Sequence, residues 1–126
     1  MASSESKEMY LETILILSRK KHLVRSVDIS EYMGYSKPSV SNAMKNLKDG
    51  GYIEDDYREG VVLTEKGAKL AKRVYDRHLT LAKMFESLGV DAQTADEDAC
   101  KIEHFISDRT FAAIKKHFEE YNNELF

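Results

Sequence analysis

The sequence predicts a mainly α fold in which an N-terminal winged helix-turn-helix is followed by further helices. Three observations carry that expectation. Apolar residues recur at helical spacing along most of the chain, a single short stretch alternates as a β-hairpin would, and the order runs helix, short helix, turn, helix, hairpin.

The elements follow in order. From Ser6 to about Arg19, apolar Tyr10, Leu11, Ile14, Leu15 and Leu17 form one face, and Arg19-Lys20-Lys21 suits the negative end of that helix. Ser26 is the expected cap of a short second helix, Val27 to Met33, with Asp28 in its first turn. Gly34-Tyr35-Ser36 is a turn. Pro38 then stands where a first helical residue should, since a helix start leaves that N–H unpaired in any case. The third helix runs from about Pro38 to Asp49 and stops at Gly50-Gly51. Tyr52-Ile53 and Val61-Val62-Leu63 flank a polar segment ending in Arg58-Glu59-Gly60, which reads as a hairpin with a charged tip. Thr64 caps a long helix, Glu65 to about Leu88, closed by Gly89. Thr94-Ala95-Asp96-Glu97 is the expected capping box of a fifth helix. Ser107-Asp108 opens a sixth, with Phe111, Ile114, Phe118, Tyr121 and Leu125 spaced three and four apart.

Composition bounds the function. The 126 residues carry 19 basic and 22 acidic side chains, 42% hydrophobic residues and one Cys. No early apolar run exceeds Ile14 to Leu17, far short of the ~20 residues of a membrane span. The N-terminus MASSESKEMY has no apolar core of a secretion signal, so a cytoplasmic protein without a membrane partner is expected. A net charge of −3 argues against an indiscriminate polyanion binder, and one Cys excludes an intrachain disulfide.

The third helix nevertheless carries a basic face. Val40, Met44 and Leu47 would turn to the core, leaving Ser39, Asn42, Lys45 and Asn46 opposite, short polar groups able to reach base edges and phosphates in a major groove. Between Ser36 and Lys48 there are three lysines and no acid. The long helix begins in the same way with Lys66, Lys69, Lys72, Arg73 and Arg77. An ordinary solvated helix carries such residues too. Their position in the second helix of a helix-turn-helix, before a wing bearing Arg58, favours DNA contact, with Ser36, Lys37 and Pro38 at the helix start as further candidates. So weak a net basicity would need specificity from base edges or DNA shape, and a dimer.

A second constellation points to metal. Cys100, Glu103 and His104, at i, i+3 and i+4 on the fifth helix, put a thiolate, a carboxylate and an imidazole within one turn. His78 is the ionisable member of the inward row Ala71, Val74, His78, Leu81, Phe85, Leu88, where a hydrogen-bonded core histidine would also serve. Met9 and Glu12 stand at i and i+3 on the first helix, and core filler and plain surface are their simpler readings. Enzymatic readings lack a third residue to orient His104 and lack a glycine-rich phosphate loop.

Taken together, Glu8-Met9-Tyr10-Leu11-Glu12, Pro38-Ser39-Val40-Ser41, Leu63-Thr64-Glu65-Lys66-Gly67, Arg77-His78 and Asp98-Ala99-Cys100-Lys101-Ile102-Glu103-His104 resemble the diphtheria toxin repressor family of metal-dependent repressors. Within it the chain is similar to the short manganese transport regulators, from about Lys7 to Phe118. The resemblance implies a winged-helix DNA-binding domain over residues 1–70 and a helical metal-binding and dimerisation domain over 71–126, joined by the long helix and lacking an SH3-like third domain. It implies a homodimer that binds a palindromic operator, activated by a divalent metal held between the two domains.

The ligand set that the resemblance implies is Met9, Glu12, His78, Cys100, Glu103 and His104, and it is mixed. Met9 and Cys100 match iron-responsive members, where manganese-responsive members carry Asp and Glu. Glu12 matches the manganese type. The second metal site of the iron type would need a Glu and a His where Ala82 and Asp96 stand, so it is damaged or rebuilt. A thioether and a thiolate soften the site, which favours Fe²⁺ over Mn²⁺ and allows Co²⁺ or Ni²⁺ to substitute. Two rival readings stay open here: a metal-independent winged-helix regulator with Cys100 as a thiol switch, and a metal-dependent enzyme or storage protein.

Overall fold

The computed structural model describes residues 4–125, with side chains described for 6–120. Among the described residues, six helices and one two-stranded sheet form two compact units that divide between residues 73 and 74. No described helix is long and apolar enough to cross a membrane.

In the first unit, α1 (Ser4–Lys20), α2 (Ser26–Met33) and α3 (Lys37–Asp49) precede the wing strands β1 (Ile53–Asp56) and β2 (Gly60–Leu63). Leu11, Ile14, Ile29, Val40, Met44, Leu47, Ile53 and Val61 are buried, so α1 and α3 turn inward the faces their spacing predicts. α2 begins one residue earlier than expected. Ser26 is its first residue and not its cap; the Asp28 carboxylate takes that part, accepting the Arg25 N–H at 2.9 Å and the Lys21 ammonium at 2.9 Å. Lys21 first of all holds the Asp28 carboxyl below the ordinary carboxylate range, helped by the Arg25 N–H. Gly34, at φ 73°, ends α2 and gives its N–H to Ser30 O. α3 begins at Lys37, making Pro38 its second residue; Ser36 caps it, accepting from Ser39 N.

The wing pairs antiparallel, Ile53 opposite Leu63 and Asp56 opposite Gly60. Asp56 Oδ1 closes the tip by accepting from Arg58 N and Glu59 N at 2.7 and 2.9 Å. A tie absent from the sequence reading pins the wing down. Val24 N donates to Glu59 O and Val61 N to Val24 O, so the loop after α1 pairs with the hairpin at Gly60. A Cβ at Gly60 would lie 2.2 Å from Val24 O, and its φ is 78°, so this crossing requires glycine.

The boundary between the units falls within α4 (Glu65–Ser87). Thr64 caps α4 as its sequence predicts, its Oγ1 accepting from Gly67 N at 3.1 Å. In the second unit, Leu81, Ala99 and Phe111 are buried together, with Ala82, Met84, Phe85, Ile106 and Ile114 packed against them. Leu88 departs from the expected inward row: α4 has ended and its side chain is 74% exposed. α5 (Ala92–Ile102) starts earlier than the Thr94 box implied, because Asp91 caps it by accepting from Thr94 N at 3.0 Å. α6 (Asp108–Leu125) opens with Ser107 Oγ accepting from Thr110 N, as expected. The side chains of Tyr121 and Leu125, assigned to its apolar row, lie outside the described residues.

Candidate metal centre and DNA-reading face

α5 ends at Ile102, so Glu103 and His104 are not within a regular helix as their spacing implied. Glu103 is the C-cap, still helical in backbone, with its N–H donated to Ala99 O, and His104 follows in the turn. Cys100 is half-buried on the last turn of α5.

Arg77 holds this turn. Its guanidinium is buried over the Phe111 ring, and it donates to Glu103 O and Ile106 O at 3.3 and 2.9 Å while pairing with the Asp108 carboxylate. One rigid fork thus ties α4 to both ends of the α5–α6 connection. By sequence Arg77 groups with the basic residues that open the long helix, whereas the structure buries it. The signal was present: Arg77 lies three residues after Val74 and four before Leu81, at the centre of the inward stripe, but a purely apolar template skips an arginine.

Above this clamp the ionisable groups converge. Glu103 has no exposed surface. Its Oε2 lies 2.9 Å from His78 Nδ1, and its Oε1 lies 3.2 Å from His104 Nε2. Burial by itself would raise the Glu103 carboxyl, but contact with His104 and then His78 outweighs it and holds the group below its ordinary value. The other ring nitrogen of His78, Nε2, lies 2.6 Å from Asp96 Oδ1 on α5. Glu103 Oε1 is buried yet lacks an aligned hydrogen bond. A buried ionised carboxylate between two imidazoles needs compensating positive charge. Carboxylate oxygen and imidazole nitrogen together suit a divalent transition metal, so these residues fit such an ion.

The contacts therefore join His78, Glu103 and His104. Met9 and Glu12 belong to the first unit, both on α1, Met9 half-buried and Glu12 buried next to Thr13.

On the first unit, Ser36, Lys37, Pro38, Ser39, Asn42, Lys45, Asn46 and Arg58 are all exposed. Ser36 and Ser39 share a hydroxyl hydrogen bond of 2.8 Å within the cap. The basic count on this side is smaller than the sequence suggests. Lys48 pairs with Asp55 at 2.6 Å, and Lys66 donates to Gly50 O while lying over the Tyr52 ring. The sequence reading passed over Tyr57, an 86%-exposed ring at the wing tip beneath the Arg58 guanidinium.

Comparison with known proteins agrees with this division of labour. Residues 3–61 match the family model described as iron dependent repressor, N-terminal DNA binding domain. Residues 64–123 match the one described as iron dependent repressor, metal binding and dimerisation domain. The chain belongs to the iron-dependent repressor family. As a family member it is a transcriptional regulator with DNA-binding and metal-binding domains and not an enzyme. It is 34% identical over 125 residues to an HTH-type regulator of Methanocaldococcus jannaschii, covering 97% of this chain and 99% of that one. It is 37% identical over 106 residues to the regulator MntR of Bacillus subtilis, covering 83% of this chain and 74% of that protein. Among solved structures, the manganese regulator SloR superposes with a TM-score of 0.78 at 31% identity, and the metal-dependent regulator MtsR with 0.82 at 28%. These matches cover 90% and 94% of this chain but only 53% and 55% of those chains, so it spans about half their length.

Proposed function

We propose that this repressor acts in the cytoplasm as a homodimer that binds a palindromic operator of metal-uptake genes when loaded with a divalent ion. The observation that carries the reading is the Glu103 carboxylate, fully buried between His78 and His104 in the domain matched as metal-binding. Cys100 adds a fourth donor from that domain, and Met9 and Glu12 on α1 complete the ligand set. The ion supplies the positive charge that the buried carboxylate requires, and it favours the domain arrangement in which α1 and the second-domain ligands share it. Coupling of about 1–3 kcal/mol, or 5–150-fold in operator affinity, is typical of such a switch.

DNA contact falls to Ser36, Lys37, Pro38, Ser39, Asn42, Lys45 and Asn46 at the start and outer face of α3, and to Arg58 on the wing. Their exposure in a matched DNA-binding domain supports this. Exposed Leu79, Ile102 and Phe105 in the second unit supply apolar surface for dimerisation.

The soft donors Met9 and Cys100 favour Fe²⁺. Structural neighbours that include the manganese regulator SloR and a manganese-dependent repressor, together with the hard Glu12 donor, favour Mn²⁺ as the second reading. Selection from a random DNA library, repeated with Fe²⁺, Mn²⁺, Co²⁺ and chelator, tests both levels. Equal enrichment of one sequence with and without metal would overturn metal dependence. For the ion, Met9→Asp with Cys100→Glu should move the response toward Mn²⁺, and an unchanged ranking would overturn the softness reading.

A further inference from the structure

The His78 ring is gripped at both nitrogens, and the two grips differ. On the Nδ1 side stands Glu103, fully buried and also in contact with His104. On the Nε2 side stands Asp96, whose side chain is 69% exposed and whose Oδ1 lies 2.6 Å from the ring nitrogen. An imidazole offers a metal one nitrogen. The other N–H of a metal-bound histidine almost always goes to a carboxylate, a carbonyl or water, which fixes tautomer and ring orientation and makes the bound nitrogen a better donor.

We infer that Asp96 is a positioning residue for the metal centre. It accepts the Nε2–H of His78 and thereby presents Nδ1 to the ion beside Glu103, without itself binding the ion. The two carboxylates thus divide the work by burial. Glu103 sits with the second imidazole in a water-excluded place where a cation is needed. Asp96 sits at the rim, where its own charge is hydrated and its contact with His78 is a charge-assisted hydrogen bond. Leu81 of α4 and Ala99 of α5 are buried together with Phe111, so the helices that carry His78 and Asp96 are packed on a common core. Sequence spacing hides this role, because Asp96 lies four residues before Cys100 in an acidic run that looks like capping charge, and Asp91 is the residue that caps.

This inference rests on the metal-sensing reading above, and its test separates the two. The parent, Asp96→Asn and Asp96→Leu are compared by Zn²⁺ and Mn²⁺ titration, and by the ¹⁵N resonances of the His78 ring in the Zn²⁺-loaded proteins. Asn retains a carbonyl acceptor for Nε2–H, whereas Leu fills a similar volume without one. The expected result is a protonated Nε2 and a metal-bound Nδ1 in the parent. Asp96→Leu should lose about 10–100-fold in metal affinity, and Asp96→Asn should recover most of it. Because Asp96 is exposed, both variants are expected to fold, and circular dichroism checks this. Metal on Nε2, parental affinity in Asp96→Leu, or equal losses in Asn and Leu would each overturn the positioning role; the last would mean that Asp96 binds the ion through its charge. In those cases metal-dependent operator binding by the parent would still uphold the function. A parent that binds neither ion overturns both.

Discussion

Glu103 and Asp28 are both buried carboxylates held below their ordinary range, for different reasons. Asp28 is satisfied within its own element pair: it caps α2 and meets the Lys21 ammonium. Replacing it by Ala should cost about 1–2 kcal/mol in urea denaturation, through loss of a cap and of a hydrogen-bonded partner. The pH dependence follows from the sign of the shift. The folded carboxyl ionises more readily than the unfolded one, so its contribution is full above the unfolded value near 4 and fades as pH falls through the lower folded value. The stability gap between parent and variant should therefore close in acid. A gap that stays constant from pH 7 to pH 2 would refute this account. Glu103 has no such local partner beyond two imidazoles. Glu103→Gln keeps the shape and removes the charge, so the variant should remain folded and dimeric while losing the whole ~5–150-fold metal response in an operator gel shift.

At the scale of elements, two contacts decide how helices meet their neighbours. Gly67, in the first turn of α4, has the carbonyl of Tyr52 where a Cβ would go, 2.0 Å away, and Thr64 N donates to that same carbonyl. Alanine is the better helix former by about 1 kcal/mol, which alone would make Gly67→Ala stabilising. The overlap is with backbone that cannot swing aside, so steric cost should win. The variant is expected to be about 1–3 kcal/mol less stable, read from its thermal or urea midpoint. Arg77 plays the corresponding part in the second unit. Arg77→Met keeps an apolar stem over Phe111 but leaves the Glu103 and Ile106 carbonyls without their donor. It should lower stability by about 1–3 kcal/mol and weaken metal binding at the turn that carries Glu103 and His104. Parental metal affinity in a folded Arg77→Met protein would show that the clamp serves stability alone.

For the whole molecule, the controlling facts are a net charge of −3 and a basic face thinned by internal pairing. Non-specific attraction to phosphate is correspondingly weak, and in the proposed function operator affinity comes from two subunits reading two half-sites together. Half-sites then have to face the same side of the duplex. Inserting about 5 base pairs between them should abolish metal-dependent binding, whereas an insertion of about 10 should restore part of it in a gel shift. Binding that ignores the spacing would mean that each subunit binds alone.

The sequence by itself determined the element order, the inward faces of α1 and α3, the Ser107 and Thr64 caps and the short list of ionisable residues. Helical period, capping chemistry and turn residues are local properties, written within a few positions of where they act. It misplaced what depends on a partner distant in the chain. Ser26 yielded its cap to Asp28 because Lys21 and the Arg25 N–H converge there. Arg77 parts from the other basic residues of the long helix because three acceptors on the α5–α6 connection surround it. Asp96 became the second grip on His78 because α4 and α5 bring together residues eighteen apart. Only the tertiary structure could decide these, since a polar side chain goes to whichever partner offsets its desolvation, and folding alone brings distant partners within reach.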